Sequence, residues 1–142
     1  MIELILILNL TATFMLCGLI WTVQLVHYPS FHFFEKADFE THMTSHKFRI
    51  SLIVVPLMLM ELITSAILGF YADSLIFLHQ VGFVIVVAIW LITFLVQVPL
   101  HNSISSGYRE DSVTKLVRTN SVRTVLWSLK SLLGIYILWV LI

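Results

Sequence analysis

Residues 75–98 read LIFLHQVGFVIVVAIWLITFLVQV, with no Asp, Glu, Lys or Arg. A helix needs about 20 apolar residues to cross the ~30 Å hydrocarbon core of a bilayer. In lipid the backbone must satisfy its own hydrogen bonds, and a helix does so. Three further apolar runs flank this one, at residues 4–26, 48–70 and 122–142. None alternates in and out over the ~10-residue units of a transmembrane β-barrel. The spacing therefore predicts an all-α, integral membrane, antiparallel four-helix bundle that forms a single transmembrane domain over residues 1–142.

Composition agrees. The chain is 59% hydrophobic and 11% charged, with a mean hydropathy of +0.99. A soluble domain carries roughly 25% charged residues, so these charges are too few to cover a soluble globule. The formal net charge is zero, which implies no general attraction to nucleic acid. The one cysteine, Cys17, lies in an apolar run and reads as a packing residue. No Lys or Arg precedes the first run, so it is read as a retained helix rather than a signal peptide.

The breaks between runs set the organisation. Pro29 and Pro99 are expected to stop helices one and three, and Pro56 to kink or open helix two. Tyr71-Ala72-Asp73-Ser74 reads as a short turn, and residues 102–120 as a polar loop with room for a short helix. Lys36, Lys47, Arg49, Arg109, Lys115, Arg118 and Arg123 all lie in or beside the first and third connectors. The positive-inside rule then puts these connectors in the cytoplasm and both termini outside, across the cell's inner (cytoplasmic) membrane. The two halves also resemble each other. Gln24-x2-His27-x-Pro29 closes helix one, and Gln97-x-Pro99-x-His101 closes helix three. Two hairpins related by an axis along the membrane normal would explain this; chance likeness between apolar helices is the alternative.

That topology gathers polar residues from all four segments at one rim of the bundle. Gln24 and His27 come from helix one, and His42, His46 and Arg49 from the start of helix two. Gln97, His101 and Asn102 end helix three, while Arg118, Asn120 and Arg123 open helix four. The i, i+4 spacing of His42 and His46 puts both on one helical face. His32, among Phe31, Phe33 and Phe34, reads as part of an interfacial aromatic patch. Helix three carries a stripe of His79, Phe83, Val86, Trp90, Thr93, Gln97 and His101 at helical spacing. Helix four carries Asn120, Arg123, Trp127, Lys130 with Ser131, and Gly134. Glu61 and Lys130 lie deep in their runs, where a charge costs at least ~2.5 kcal/mol on insertion scales. They are expected to face inward, as a register-fixing pair or as a proton-handling couple.

Several motifs carry a resemblance. They are Trp21-x2-Gln24-x2-His27-Tyr28-Pro29, His42-x3-His46-x2-Arg49, Pro56-x4-Glu61, Gln97-x-Pro99-x-His101-Asn102 and Asn120-x2-Arg123-x3-Trp127. Together they resemble a widespread group of small four-helix bacterial membrane proteins, over nearly the whole chain. More distantly, the chain looks like the four-helix protoporphyrinogen oxidase that binds haem b, and like the anthrone-oxygenase-like membrane family. The resemblance to the protoporphyrinogen oxidase makes His27 the candidate haem ligand. The oxidase's Arg-x-x-Asn-Glu beside helix four is absent here, with Arg118-Thr119-Asn120-Ser121 nearest to it.

The leading expectation is an oxidoreductase-type membrane enzyme acting on an apolar or aromatic small molecule. Haem b or a metal ion would be held by His27, His46 or His101. Arg49, Arg118 and Arg123, with Asn120 and Gln97, would hold an anionic group. Glu61 and Lys130 would be the catalytic proton carriers. The alternative is a non-enzymatic lipid- or small-ligand-binding protein, or an accessory subunit of a membrane complex. The lipid bilayer is the one partner the composition demands. Transport would require a homo-oligomer, because four spans are few for a transporter protomer.

Overall fold

A computed structural model describes residues 1–33, 39–105 and 110–142, excluding the side chains of His32 and Ser105. Of the expected aromatic patch, Phe31 is buried in the core and Phe33 is exposed, while the His32 side chain and Phe34 lie outside the described residues, as do Lys36 and Arg109. The fold is all-α, with four helices: α1 (Ile2–Ser30), α2 (Phe39–Tyr71), α3 (Ile76–Ile104) and α4 (Glu110–Leu141). All four are long and apolar enough to cross a membrane. Helix α1 packs on α2 and α4, and α3 packs on the same two. The chain therefore runs around a square, each helix beside the one that precedes it. Large apolar side chains such as Leu4, Leu52, Phe77, Leu95 and Trp139 point outward. A soluble protein does not expose so much apolar surface; lipid is its solvent here.

The helices outrun their apolar segments. At 33 residues, α2 is about 50 Å long against a hydrocarbon core of ~30 Å. The surplus lies at the end carrying residues 39–47 and 110–120, which the apolar pattern assigns to connectors. The polar sequence there is amphipathic helix, and its apolar side closes a core layer of Val23, Tyr28, Phe31, Phe39, Met43, Ile104, Val113 and Leu116. A second layer, Leu16, Ile20, Met58, Ile89 and Trp127, fills the bundle at mid-depth.

The prolines do not stop their helices, and the reason is local. Proline lacks an N–H, and its ring collides with the carbonyl four residues back. Both α1 and α3 widen into a π-turn immediately before it, at Val23–His27 and Thr93–Gln97. Pro29 and Pro99 each stand two residues after such a turn. The i→i+5 pattern moves the obstructing carbonyls away, so both helices continue to the rim. Around Pro56 the helical assignment of α2 is unbroken. At the opposite end, the turn between α2 and α3 closes on Leu75, whose φ of 54° is left-handed. The Leu75 carbonyl then accepts the first N–H groups of α3, from Leu78 and His79.

Candidate functional site

Two polar assemblies occupy the interior. The deeper one is built across the diagonal of the square, with α1 filling in. Glu61 of α2 is completely buried, and its Oε1 lies 3.1 Å from Lys130 Nζ of α4. Lys130 also donates to Asn9 Oδ1 at 3.2 Å and to Thr13 Oγ1 at 2.6 Å. An ammonium has three N–H groups, so all of them are engaged. The carboxylate is equally well served: Thr13 Oγ1 donates to Oε1 at 2.8 Å, and Trp127 Nε1 donates to Oε2 at 3.0 Å. Asn9 Nδ2 completes the cage by donating to Thr64 Oγ1 and Ser65 Oγ, each at 2.8 Å. Beside it, a cavity of about 20 Å³ touches Asn9, Thr13, Ser65, His79 and Lys130, room for about one water.

The second assembly lies at the rim. Burial of the helix-four stripe is complete there: Asn120, Arg123, Thr124 and Trp127 are all inside. The π-turns end at His27 and Gln97, and both residues face the bundle's polar end. His27 Nε2 and His46 Nδ1 share a hydrogen bond of 2.7 Å. Phe31 lies edge-on to both imidazoles, with centroids at 5.1 and 5.5 Å. The Tyr28 hydroxyl bonds His101 Nε2 at 2.8 Å, and the His101 ring is centred 6.1 Å from that of His46. Asn120 ties α4 to α1 and holds Arg123 on its own helix: its Nδ2 donates to Gln24 Oε1 at 2.9 Å, and its Oδ1 accepts from Arg123 Nη1 at 3.1 Å. Gln97 Nε2 donates to Thr119 Oγ1 at 3.0 Å.

Two spaces open from this assembly and share Leu19, Val23, His46 and Ile50 as walls. The larger, about 550 Å³, is a groove between α1 and α2 bordered by His27, His42, Ser45 and Arg49. The other, about 230 Å³, lies between α2 and α3 and reaches Trp90, Gln97, His101 and Arg123. Apolar side chains make most of its wall. Three buried polar atoms on its lining residues have no hydrogen-bond partner: Trp90 Nε1, Gln97 Oε1 and Arg123 Nε.

The structure brings His27, His46 and His101 together, with Gln97, Asn120 and Arg123 beside them. Arg49 is exposed on the groove, and Arg118 is exposed on α4 and borders neither space. Among the described residues, no three His, Cys, Asp or Glu side chains are arranged to hold one metal ion. His27 turns Nε2 to His46, so a haem iron could take that nitrogen only by displacing the bond. Glu61 and Lys130 pair, but they line neither large space. Lys130 lies seven residues along α4 from Arg123, about 10 Å of helix. Trp127 bridges the two levels, with its ring under the Arg123 guanidinium at 5.0 Å and its N–H on Glu61.

Three partners are not singled out by the sequence pattern. Asn9 and Thr13 lie in an apolar run, and only their i, i+4 spacing, which puts two polar groups on one face, could have marked them. Tyr28 stands in the sequence only as part of a motif, yet it holds His101. Comparisons with protein-family models, curated proteins and solved structures return no match to this chain.

Proposed function

We propose that this multi-pass membrane protein binds an apolar small molecule through a polar head, in the space between α2 and α3. The observation that carries this reading is the set of three unpartnered buried polar atoms on side chains around an apolar cavity. A buried polar group left without a partner costs about 1–3 kcal/mol. Three around one cavity are best explained by a ligand that serves them. The head would carry an acceptor for Trp90 and Arg123, while the Leu19, Ile50, Val54 and Met58 walls would take its apolar part.

A second reading, an oxidoreductase-type enzyme acting on such a molecule, is favoured by the His27–His46 pair. The bond to His27 fixes the orientation of the His46 ring, and His46 borders both spaces. An imidazole so placed can take or give a proton at the ligand's head. The rim carries Lys47, Arg49, Lys115, Arg118 and Arg123, which supports a cytoplasmic rim and external termini.

The test of binding is saturable ligand-induced thermal stabilisation of the purified protein, screened with apolar molecules bearing polar heads. Stabilisation that disappears in Gln97→Leu supports the site; identical stabilisation in the variant refutes it. For the enzyme reading, the absorption spectrum of purified protein is compared with that of His46→Ala. A visible band lost in the variant supports cofactor-assisted chemistry at His46; a band indifferent to both His46→Ala and His27→Ala refutes it.

A further inference from the structure

Arg123 is a buried charge without a carboxylate partner among the described residues. It is 6% exposed, and among the described residues the one ion pair is Glu61–Lys130, so no described carboxylate pairs with it. Its guanidinium carries five N–H groups. Asn120 Oδ1 takes one of them, the Tyr28 hydroxyl lies beside it, and the Trp127 ring supports one face. These contacts hold the group in place without neutralising it. A buried cation with no counter-charge is costly in any interior, and more so in a membrane.

The cavity beside it has a particular shape and depth. At about 230 Å³ it is smaller than the ~300–1,000 Å³ of pockets that enclose a whole small molecule. Its walls continue to the outside of the bundle, because Val55, Phe94 and Val98 line it and are still 48%, 55% and 40% exposed. Let the Tyr71–Leu75 turn mark one membrane boundary. Val55 then lies ~24 Å into the bilayer and Phe94 ~27 Å, both within a ~30 Å core. His46 and His101, at ~37 Å, fall in the headgroup zone. The mouth therefore opens to hydrocarbon, while the polar end sits at the interface.

We infer that the ligand is a single-chain amphiphile with a monoanionic carboxylate head, which enters from the bilayer between α2 and α3 and seats its head on Arg123. The inference rests on the binding reading above and names its ligand class. One buried guanidinium balances one negative charge, and its planar fork matches a carboxylate. Trp90, whose indole N–H has no partner, lies on the same wall and can donate to the head, whereas Gln97 Oε1 is itself an acceptor and makes no bond to a carboxylate. The chain stays in the mouth and the lipid beyond it, so the cavity needs no greater volume.

The experiment uses tryptophan quenching in nanodiscs. Trp21 and Trp139 are exposed to lipid, so Trp21→Phe/Trp139→Phe leaves Trp90 and Trp127 as reporters. The probes are a chain-brominated stearate and the alcohol of the same brominated chain. Expected is saturable quenching by the carboxylate at a concentration at least tenfold below that needed for the alcohol, a preference abolished in Arg123→Met. Equal saturable quenching by both probes overturns the anionic head while leaving the binding reading intact. Non-saturable quenching by both overturns the two together. The comparison of the two probes with Arg123 in place decides this even if Arg123→Met does not fold. Val55→Phe narrows the mouth and should slow the onset of carboxylate quenching severalfold; an unchanged onset overturns entry between α2 and α3.

Discussion

Removing the Lys130 ammonium by Lys130→Met tests whether the deep cage is one coupled unit. The substitution keeps an unbranched side chain one atom shorter and deletes three hydrogen bonds, to Glu61 Oε1, Asn9 Oδ1 and Thr13 Oγ1. Side-chain hydrogen bonds inside membrane proteins average ~0.6 kcal/mol each, so bonds alone would account for about 2 kcal/mol. Glu61 has no exposure to solvent, and removing one member of a buried ion pair costs about 3–5 kcal/mol because the remaining charge is stranded. The expected loss is therefore about 3–5 kcal/mol, measured as the free energy of reversible unfolding in mixed micelles. Glu61→Gln added to Lys130→Met removes the stranded charge. The amide that replaces the carboxylate keeps a carbonyl oxygen, which can still accept from Thr13 or Trp127. The double variant should recover at least ~2 kcal/mol relative to Lys130→Met, a coupling energy within the range of contacting residues. If the two substitutions instead add, the cage is a set of independent hydrogen bonds and the argument from a stranded charge fails.

Three further outcomes follow from the same geometry. Pro99→Ala restores an N–H and removes the ring that the Thr93–Gln97 π-turn accommodates, so α3 should relax to an unbroken α-helix. The residues beyond the turn would shift in phase, and amphiphile quenching of Trp90 should fall at least tenfold while stability changes by less than ~1 kcal/mol; unaltered quenching would show that the π-turn does not position the site. Leu75→Gly relieves a left-handed non-glycine residue and should stabilise the protein by about 0.5–1 kcal/mol in the same unfolding assay. In a Cys17→Ser background, Asp73→Cys should react with a membrane-impermeant maleimide added to intact cells, and Asn102→Cys only after lysis; the reverse pattern would invert the proposed topology.

What the sequence makes legible is whatever solvent decides. Four apolar runs, the inward stripes of α3 and α4, and the depth of Glu61 and Lys130 all follow from the cost of putting polar groups into hydrocarbon. Outside the hydrocarbon that cost vanishes, and with it the signal. The apolar pattern therefore starts α2 near residue 48 and α4 near residue 122, whereas they start at Phe39 and Glu110, because amphipathic helix resembles connector. Proline misleads in the same direction at the other two helices. Its propensity to end a helix takes no account of the π-turn that cancels its clash, and no local residue pattern announces such a turn in a single sequence. The site's partners are hidden for a third reason. Asn9, Thr13 and Tyr28 are ordinary residues in apolar surroundings until tertiary packing sets them against Lys130 and His101.

The two π-turns bear most directly on how the rim came to be a site. The halves are alike at Val23–His27 with Pro29 and at Thr93–Gln97 with Pro99, but they differ in what they deliver. The first ends on His27, which is bound to His46. The second ends on Gln97, whose Oε1 is unpartnered at the cavity. One inserted residue in a helix rotates everything after it by roughly 100°. The same device therefore delivers the His27 imidazole from α1 to His46 and the Gln97 amide from α3 to the cavity that His46 also lines. Two plain α-helices broken by proline would have ended below the rim and delivered neither. The polar end depends on these helices continuing past their prolines, and for that reason Pro29 and Pro99 belong to the site although neither touches its polar groups through a hydrogen bond.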